Sequence, residues 1–394
     1  MNNLNNKNLK FALIHHLLLG KCKGGGEKLM LQTANHFDAD FITGSIELNA
    51  WDPGLVQDSF TQYMHPGKWD YLGEESQNKI FKYIKRQLDF IFSNKIETIA
   101  KSKDVVIVQF GNIAFVPQRI KKYNPNCKTI AYVNTPPRGF TDQFESNLNS
   151  LTGLKKIFLS PFYHIFRWIV MYNFTNAVKA CDHVIANSEN IKRRIEKYTG
   201  IVADSVIFPL VETSQFNPNL PSQNFFLSHG RLEKLKRIEL IVKAFQQIPD
   251  QQLVITSGGP LEGWVKSYIK DNNITNINFK GRVSDEERGT LMATCKAGIY
   301  IPIDEDAGIT QLEFMACGKP VLGVKDGGLI ESIIDGETGI LMSKEPTIEE
   351  LIDNVRSLTI EKAISMKEAC VIQSKKFDES VYFQKFDDVV NSLT

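Results

Sequence analysis

No two of the six cysteines form a C-x-x-C pair; Cys22, Cys127, Cys181, Cys295, Cys317 and Cys370 are scattered along the chain. That spacing argues against a zinc ribbon or a dithiol motif and predicts small, reduced core side chains. The seven histidines form no metal-ligand pattern either. Their one adjacent pair, His15-His16, would point to opposite faces of a strand. Charge is balanced, with 46 basic against 45 acidic residues, so no global field selects nucleic acid. The longest apolar stretch, Ile157 to Tyr172, is interrupted by Pro161, His164 and Arg167 and falls short of a bilayer span. Near the start, FALIHHLLLG is broken by two histidines and lacks a small-residue cleavage site, so it reads as a strand and not as a secretory signal. There is no G-x-G-x-x-G fingerprint, no solenoid repeat and no evident strand-borne D-x-D. These absences predict a cytoplasmic chain; peripheral contact with the inner membrane face stays open.

What is present is a two-domain α/β pattern. The 394 residues are 42% hydrophobic, enough for two sizeable cores. Lys10 to Leu19 reads as a strand, Lys21 to Gly26 as a glycine loop and Glu27 to His36 as a helix. Phe41 to Gly44 reads as a short strand and residues 74–102 as helical. Asp104–Phe110, Lys128–Val133, Cys181–Asn187 and Ser205–Leu210 read as further strands. Ser188 is the expected N-cap of a helix reaching Tyr198. Ile157 to Asn173 has helical apolar spacing, which fits a core or interdomain helix better than an interfacial membrane helix. From Phe225 the alternation starts again: Phe225–Gly230, Gln252–Ser257, Ile277–Lys280, Ala297–Ile303 and Pro320–Val324 as strands, with helices over Lys236–Gln247, Asp285–Thr294 and Thr347–Leu358. Two doubly wound halves follow: residues 1–212, residues 213–376, and a last helix in 377–394 expected to pack back toward the N-terminal half.

The most chemically loaded stretch is EDAGITQLEFMACGKPVLG, Glu305 to Gly323. A strand, the Gly308 turn and a helix start make an anion site from outward backbone N–H groups. Glu305 and Glu313 flank it, as suits a sugar-nucleotide. Arg231 and Lys236 bracket a second strand-end turn. A Mg²⁺ site at Asp304, Glu305 and Asp306 is the weaker reading, because hard cations usually keep substrate phosphates as co-ligands. The Gly24–Gly26 run serves either a tight turn or the approach of a phosphate or sugar. Lys319 reads as a solvated turn residue, and Arg138, by itself, as a surface residue.

These residues together resemble the GT-B fold retaining glycosyltransferases of family 4, in their mannosyltransferase-like branch. Glu305, Glu313, Phe314-Met315-Ala316, Gly318 and Pro320-Val321 are similar to the family's E-x7-E and E-A-M-A-x-G-x-P-V run. HGRLEKLK (His229 to Lys236) is similar to its G-R-L-x-x-x-K element, and GGGEK (Gly24 to Lys28) to its N-terminal glycine loop. Residues 187–216 resemble the end of its acceptor domain. The resemblance implies two Rossmann-like domains facing across a cleft. It implies that Arg231 and Lys236 hold the donor diphosphate and that Glu305 contacts the donor sugar. Glu313 would take the ribose, and Gly308, Ile309 and Thr310 would offer N–H groups to the distal phosphate. Gly25 and Gly26 would approach the diphosphate, Arg282 and Val283 would lie beside the base, and Arg138 is the candidate acceptor contact. It implies a nucleotide-diphosphate sugar donor, GDP-mannose first and UDP-hexoses next, a glycan or lipid-linked acceptor, and no metal or other cofactor.

Two positions depart from the pattern. Asn134 stands where the family carries a histidine, and an amide bonds a sugar hydroxyl but cannot titrate near neutrality. A catalytic part for Asn134 is therefore limited to hydrogen bonding. Ala307 replaces the usual aromatic before Gly308, which changes packing beside the donor sugar. These departures keep two alternatives open: a sugar-nucleotide-binding protein impaired in transfer, and another GT-B enzyme such as a sugar-nucleotide epimerase.

Overall fold

A computed structural model of the chain describes residues 9–15, 25–43, 95–110, 115–149 and 152–394. The expected strand over residues 16–19, the loop residues 21–24, Gly44 and the helical reading of 74–94 lie outside these residues. The chain divides into two compact units, Met1–Ile207 with Phe383–Thr394, and Phe208–Tyr382. Among the described residues, each is built on a six-stranded, parallel sheet with helices.

In the first unit, β1 (Phe11–His15), β2 (Asp40–Thr43), β3 (Val105–Phe110), β4 (Lys128–Val133), β5 (His183–Ala186) and β6 (Ser205–Val206) are arranged β2-β1-β3-β4-β5-β6. Runs such as Val105-Val106-Ile107-Val108 are fully buried, as strands covered on both faces require. Helix α1 (Gly25–His36) follows β1 and runs into β2. The chain's last residues close this unit: His36 Nε2 lies 2.9 Å from Asp387 Oδ1 and its ring stacks on Phe383 at 4.0 Å. Phe386 is buried against Phe37 and Tyr132.

In the second unit, β7 (Phe225–His229), β8 (Gln252–Thr256), β9 (Ile277–Gly281), β10 (Ala297–Ile299), β11 (Val321–Val324) and β12 (Gly339–Met342) are ordered β12-β11-β10-β7-β8-β9. The order therefore reverses between β7 and β10. In the first unit the corresponding reversal falls between β1 and β3. Such reversals leave a crevice beyond the strands' carboxyl ends, where ligands of doubly wound folds gather.

Several expected elements are shorter or longer than their apolar patterns. The strand over Ala297–Ile303 is shorter, ending at Ile299; Tyr300 N still donates to Leu322 O at 3.0 Å, and the chain beyond it enters the loop. That over Ser205–Leu210 ends at Val206. Helix α2 (Ile238–Gln246) begins only after a 3-10 turn, Lys234–Lys236, and a left-handed Arg237, φ 51°. The helical spacing around Ile157–Asn173 extends to a 27-residue helix, α3 (Gly153–Lys179), with Pro161 inside it. No helix among the described residues is long and apolar enough to cross a membrane.

One buried amide ties the second unit's layers together. Asn276 Nδ2 lies 2.9, 3.1 and 2.8 Å from the carbonyl oxygens of Phe245, Ile248 and Gln251, joining the end of α2 to β8 and β9. Asn276→Ala should leave buried carbonyls without a donor and cost about 2–3 kcal/mol of stability. Urea denaturation measures this, with little change expected in nucleotide-sugar binding.

Candidate functional site

The reversal point of the second sheet gathers the charged residues of two sequence motifs. After β7 the chain passes through Gly230 and Arg231 to Lys236; after β10 it passes through Tyr300 to Glu305. Lys236 Nζ donates to Tyr300 Oη at 2.9 Å and to Glu305 Oε2 at 2.5 Å. Ser228, His229, Arg231, Lys236 and Tyr300 line one small pocket here. Arg231 is exposed, 3.6 Å from Glu233 Oε2, so its guanidinium points into an accessible space.

Burial alone would pull the Lys236 ammonium down, but the neighbouring Tyr300 hydroxyl and Glu305 carboxylate outweigh it and hold its pKa above the ordinary lysine value. Burial raises the Tyr300 phenol, with Glu305 adding to it, so the hydroxyl stays protonated. Lys236 is a fixed cation at any physiological pH. His229 Nδ1 lies 2.9 Å from Thr256 Oγ1, and burial lowers its pKa, which favours the neutral ring.

Glu313 is held by a different cation. Its Oε1 accepts from Arg288 Nη1 at 2.8 Å. Burial opposes the Arg288 charge, but Glu313 more than restores it. Glu313 lies on α4 (Thr310–Ala316), a seven-residue helix whose N-cap, Ile309, offers no side-chain hydrogen bond. The turn before it needs glycine, since Gly308 has φ 79°. Gln311, fully buried, donates from Nε2 to the carbonyls of Ala307 and Gly308, both at 3.1 Å, and to Ser332 Oγ at 3.0 Å.

The loop carrying Glu305 is tethered along its length. Arg237 donates to the carbonyls of Ile301, Pro302 and Lys344. Ile303 N donates to Leu235 O, and Asp304 N to Asp326 Oδ2. Gly328 N donates to Glu305 O at 2.8 Å, and Cβ atoms at Gly327 and Gly328 would collide with the Glu305–Ala307 backbone. Ala307 is buried at this contact.

The remaining candidates of this unit sit nearby on the same sheet. Arg282 and Val283 follow β9, with Arg282 exposed and its Nε 2.9 Å from where a Gly258 Cβ would stand. Lys319 corrects the sequence reading. It is buried and donates to Ser222 Oγ at 2.6 Å, and burial lowers its pKa. Its turn is packed under the sheet, which local sequence does not reveal.

In the first unit, Gly25 opens α1 and Gly26 follows it. A Cβ on Gly26 would lie 3.3 Å from Asn134 Nδ2, so these two candidates are neighbours. Arg138 starts a 3-10 turn, Arg138–Phe140, and is half-buried. Asp142, in the same loop, is engaged by Tyr198 Oη at 2.5 Å and by Arg194. Sequence reasoning missed Tyr300 and Arg288. Tyr300 hides in an apolar strand-like run, and Arg288 in a charged helix that reads as solvated.

Residues 211–377 match the family model described as Glycosyl transferases group 1. The match falls within the second unit, and the two Rossmann-like units have the GT-B fold expected from the motifs. The chain is similar to the alpha-1,3/1,6-mannosyltransferase ALG2 of Dictyostelium discoideum, 26% identical over 231 residues, 48% of this chain and 54% of that protein. ALG2 of Saccharomyces cerevisiae is 27% identical over 314 residues, 64% of this chain and 60% of that one. The chain thus spans about half the length of the curated relatives it matches. Among solved structures, Anabaena HepE in complex with UDP and glucose aligns with a TM-score of 0.70 at 16% identity, over 98% of this chain and 100% of that one. Sucrose-phosphate synthase from Thermosynechococcus elongatus aligns with a TM-score of 0.75 at 17% identity, over 98% and 99%. The resemblance to mannosyltransferase-like GT-B enzymes read from the motifs holds.

The buried pair can be tested by itself. Glu305→Gln should cost about 1–3 kcal/mol in urea denaturation, since Lys236 loses its anionic partner and keeps only neutral acceptors, while both side chains retain some solvent contact. The double variant Lys236→Met with Glu305→Gln should be less destabilised than the two single changes summed.

Proposed function

We propose that this chain is a retaining glycosyltransferase that moves a hexose, mannose first, from a nucleotide-diphosphate sugar to a glycan or lipid-linked saccharide. The observation that carries this is the pairing of Lys236 with Glu305 at the sheet's reversal point, with Arg231 on the same pocket and Glu313 held by Arg288. Breaking the glycosidic bond builds negative charge on the departing diphosphate and positive charge on the sugar. In this reading Arg231 and Lys236 stabilise the diphosphate without a metal, and the backbone N–H groups at Gly308, Ile309 and Thr310 take its distal phosphate. Glu305 receives donor-sugar hydroxyls, Glu313 receives the ribose, and Arg282 and Val283 flank the base. Gly25, Gly26 and Asn134 also serve the donor, and Arg138 the acceptor. Mannose is favoured because relatives matched here are mannosyltransferases by name; a UDP-sugar is the second choice, since a structural neighbour was solved with UDP and glucose.

The test is a thermal-shift and transfer screen with GDP-mannose and UDP-glucose, the product's anomeric configuration being read by NMR. Arg231→Ala and Glu313→Ala should each weaken turnover by about 100-fold or more. Normal kinetics in both would overturn the site.

A membrane-borne acceptor is supported by α3. Phe158, Phe162, Ile165, Trp168, Ile169 and Tyr172 are all exposed, and at helical spacing they share one side. The helix has no acidic residue and carries Lys155, Lys156, Arg167 and Lys179. Trp and Tyr at the rim of an apolar stripe suit a lipid–water interface, and the charge suits anionic lipid. The chain should co-sediment with anionic vesicles, and Phe162→Glu with Trp168→Glu should lower that binding by about tenfold or more. Unchanged co-sedimentation of the variant would exclude this face.

A further inference from the structure

Gln109 is the second-last residue of β3, and only 1% of it is exposed. Among the described residues, neither its Nε2 nor its Oε1 has a hydrogen-bond partner. The Oδ1 of Asn134, the residue following β4, is buried and also without one. Both amides come together at Gly26: a Cβ there would lie 3.3 Å from Asn134 Nδ2 and 3.8 Å from Gln109 Nε2. β3 pairs with β1 through Ile14↔Val108 and with β4 through Gln109↔Tyr132. Gln109 is therefore at the carboxyl end of the sheet, at the reversal between β1 and β3.

A buried amide with both ends unpaired is a costly arrangement, and one that a polar ligand relieves. Its two ends specify the ligand. Swapping the amide's nitrogen and oxygen changes nothing, because both are unpaired. The Gln109 nitrogen needs an acceptor, and the oxygens of Gln109 and Asn134 need donors. Phosphate oxygens only accept, so a diphosphate would leave both carbonyl oxygens unsatisfied. A hydroxyl both donates and accepts. Gly26, without a side chain, leaves room beside the two amides.

We infer that Gln109, together with Asn134, binds hydroxyls of a sugar ring at the reversal point of the first sheet. The kind of ligand rests on the glycosyltransferase reading, whereas the site rests on the unpaired amides. Two sources supply the same chemistry, the hexose of the donor and a saccharide acceptor.

The experiment compares the full chain with Gln109→Leu, and with Gln109→Asn should the leucine variant not fold. Thermal shifts are measured without ligand, then with GDP, UDP, GDP-mannose, UDP-glucose and methyl α-mannoside. Without ligand, the leucine variant should melt at or above the wild type, since an unsatisfied amide has been removed. Its shifts with GDP and UDP should be unchanged. If the donor hexose is bound, the additional affinity that GDP-mannose or UDP-glucose shows over its diphosphate falls by about tenfold or more. If an acceptor is bound, the loss appears with methyl α-mannoside. A leucine variant that folds but melts well below the wild type, an equal loss with the free diphosphates, or no change in either sugar arm (read on the asparagine variant where leucine does not fold) overturns the inference. A wild type unmoved by any nucleotide or sugar-nucleotide overturns the glycosyltransferase reading, while the ligand-free melt and the mannoside arm still decide the role of Gln109.

Discussion

A lysine ammonium drawn out of water needs an anion in contact, and the Lys236–Glu305 pair meets that need where two loops of the second sheet converge. Much of the local architecture keeps the pair in register. Arg237 takes up a left-handed backbone and reaches the carbonyls of Ile301 and Pro302. Leu235 and Ile303 share a backbone hydrogen bond, and Gly327-Gly328 let the chain pass close enough to bond the Glu305 carbonyl. Tyr300 completes the cation's shell from below. The pair is thus held by backbone, and little reorganisation is needed when charge appears beside it.

The same sheet carries two cation–carboxylate couples. Lys236 meets Glu305 next to the pocket that Arg231 and His229 also line. Arg288 meets Glu313 on a short helix, with neutral His229 near enough to feel both charges. Each carboxylate is paired with a cation and pre-oriented before any ligand arrives. In the first unit Gln109 and Asn134 present amides beside Gly26 at the end of the sheet.

The sequence determined by itself the doubly wound alternation, because buried parallel strands read as continuous apolar runs separated by helical periods. It also singled out Arg231, Lys236, Glu305, Gly308 and Glu313 as candidates, since strand ends, turns and helix starts carry their charges in short, patterned stretches. Tertiary structure decided the partners. Lys236 and Glu305 are 69 residues apart, Arg288 and Glu313 are 25, and no local period links either pair. Lys319 read as solvated until packing buried it against Ser222, and Gln109 read as one more residue of a buried strand. The physical reason is common to all of them. Strand order brings distant carboxyl ends together, and burial, hydrogen bonding and charge pairing depend on what arrives there, not on what precedes or follows in the chain.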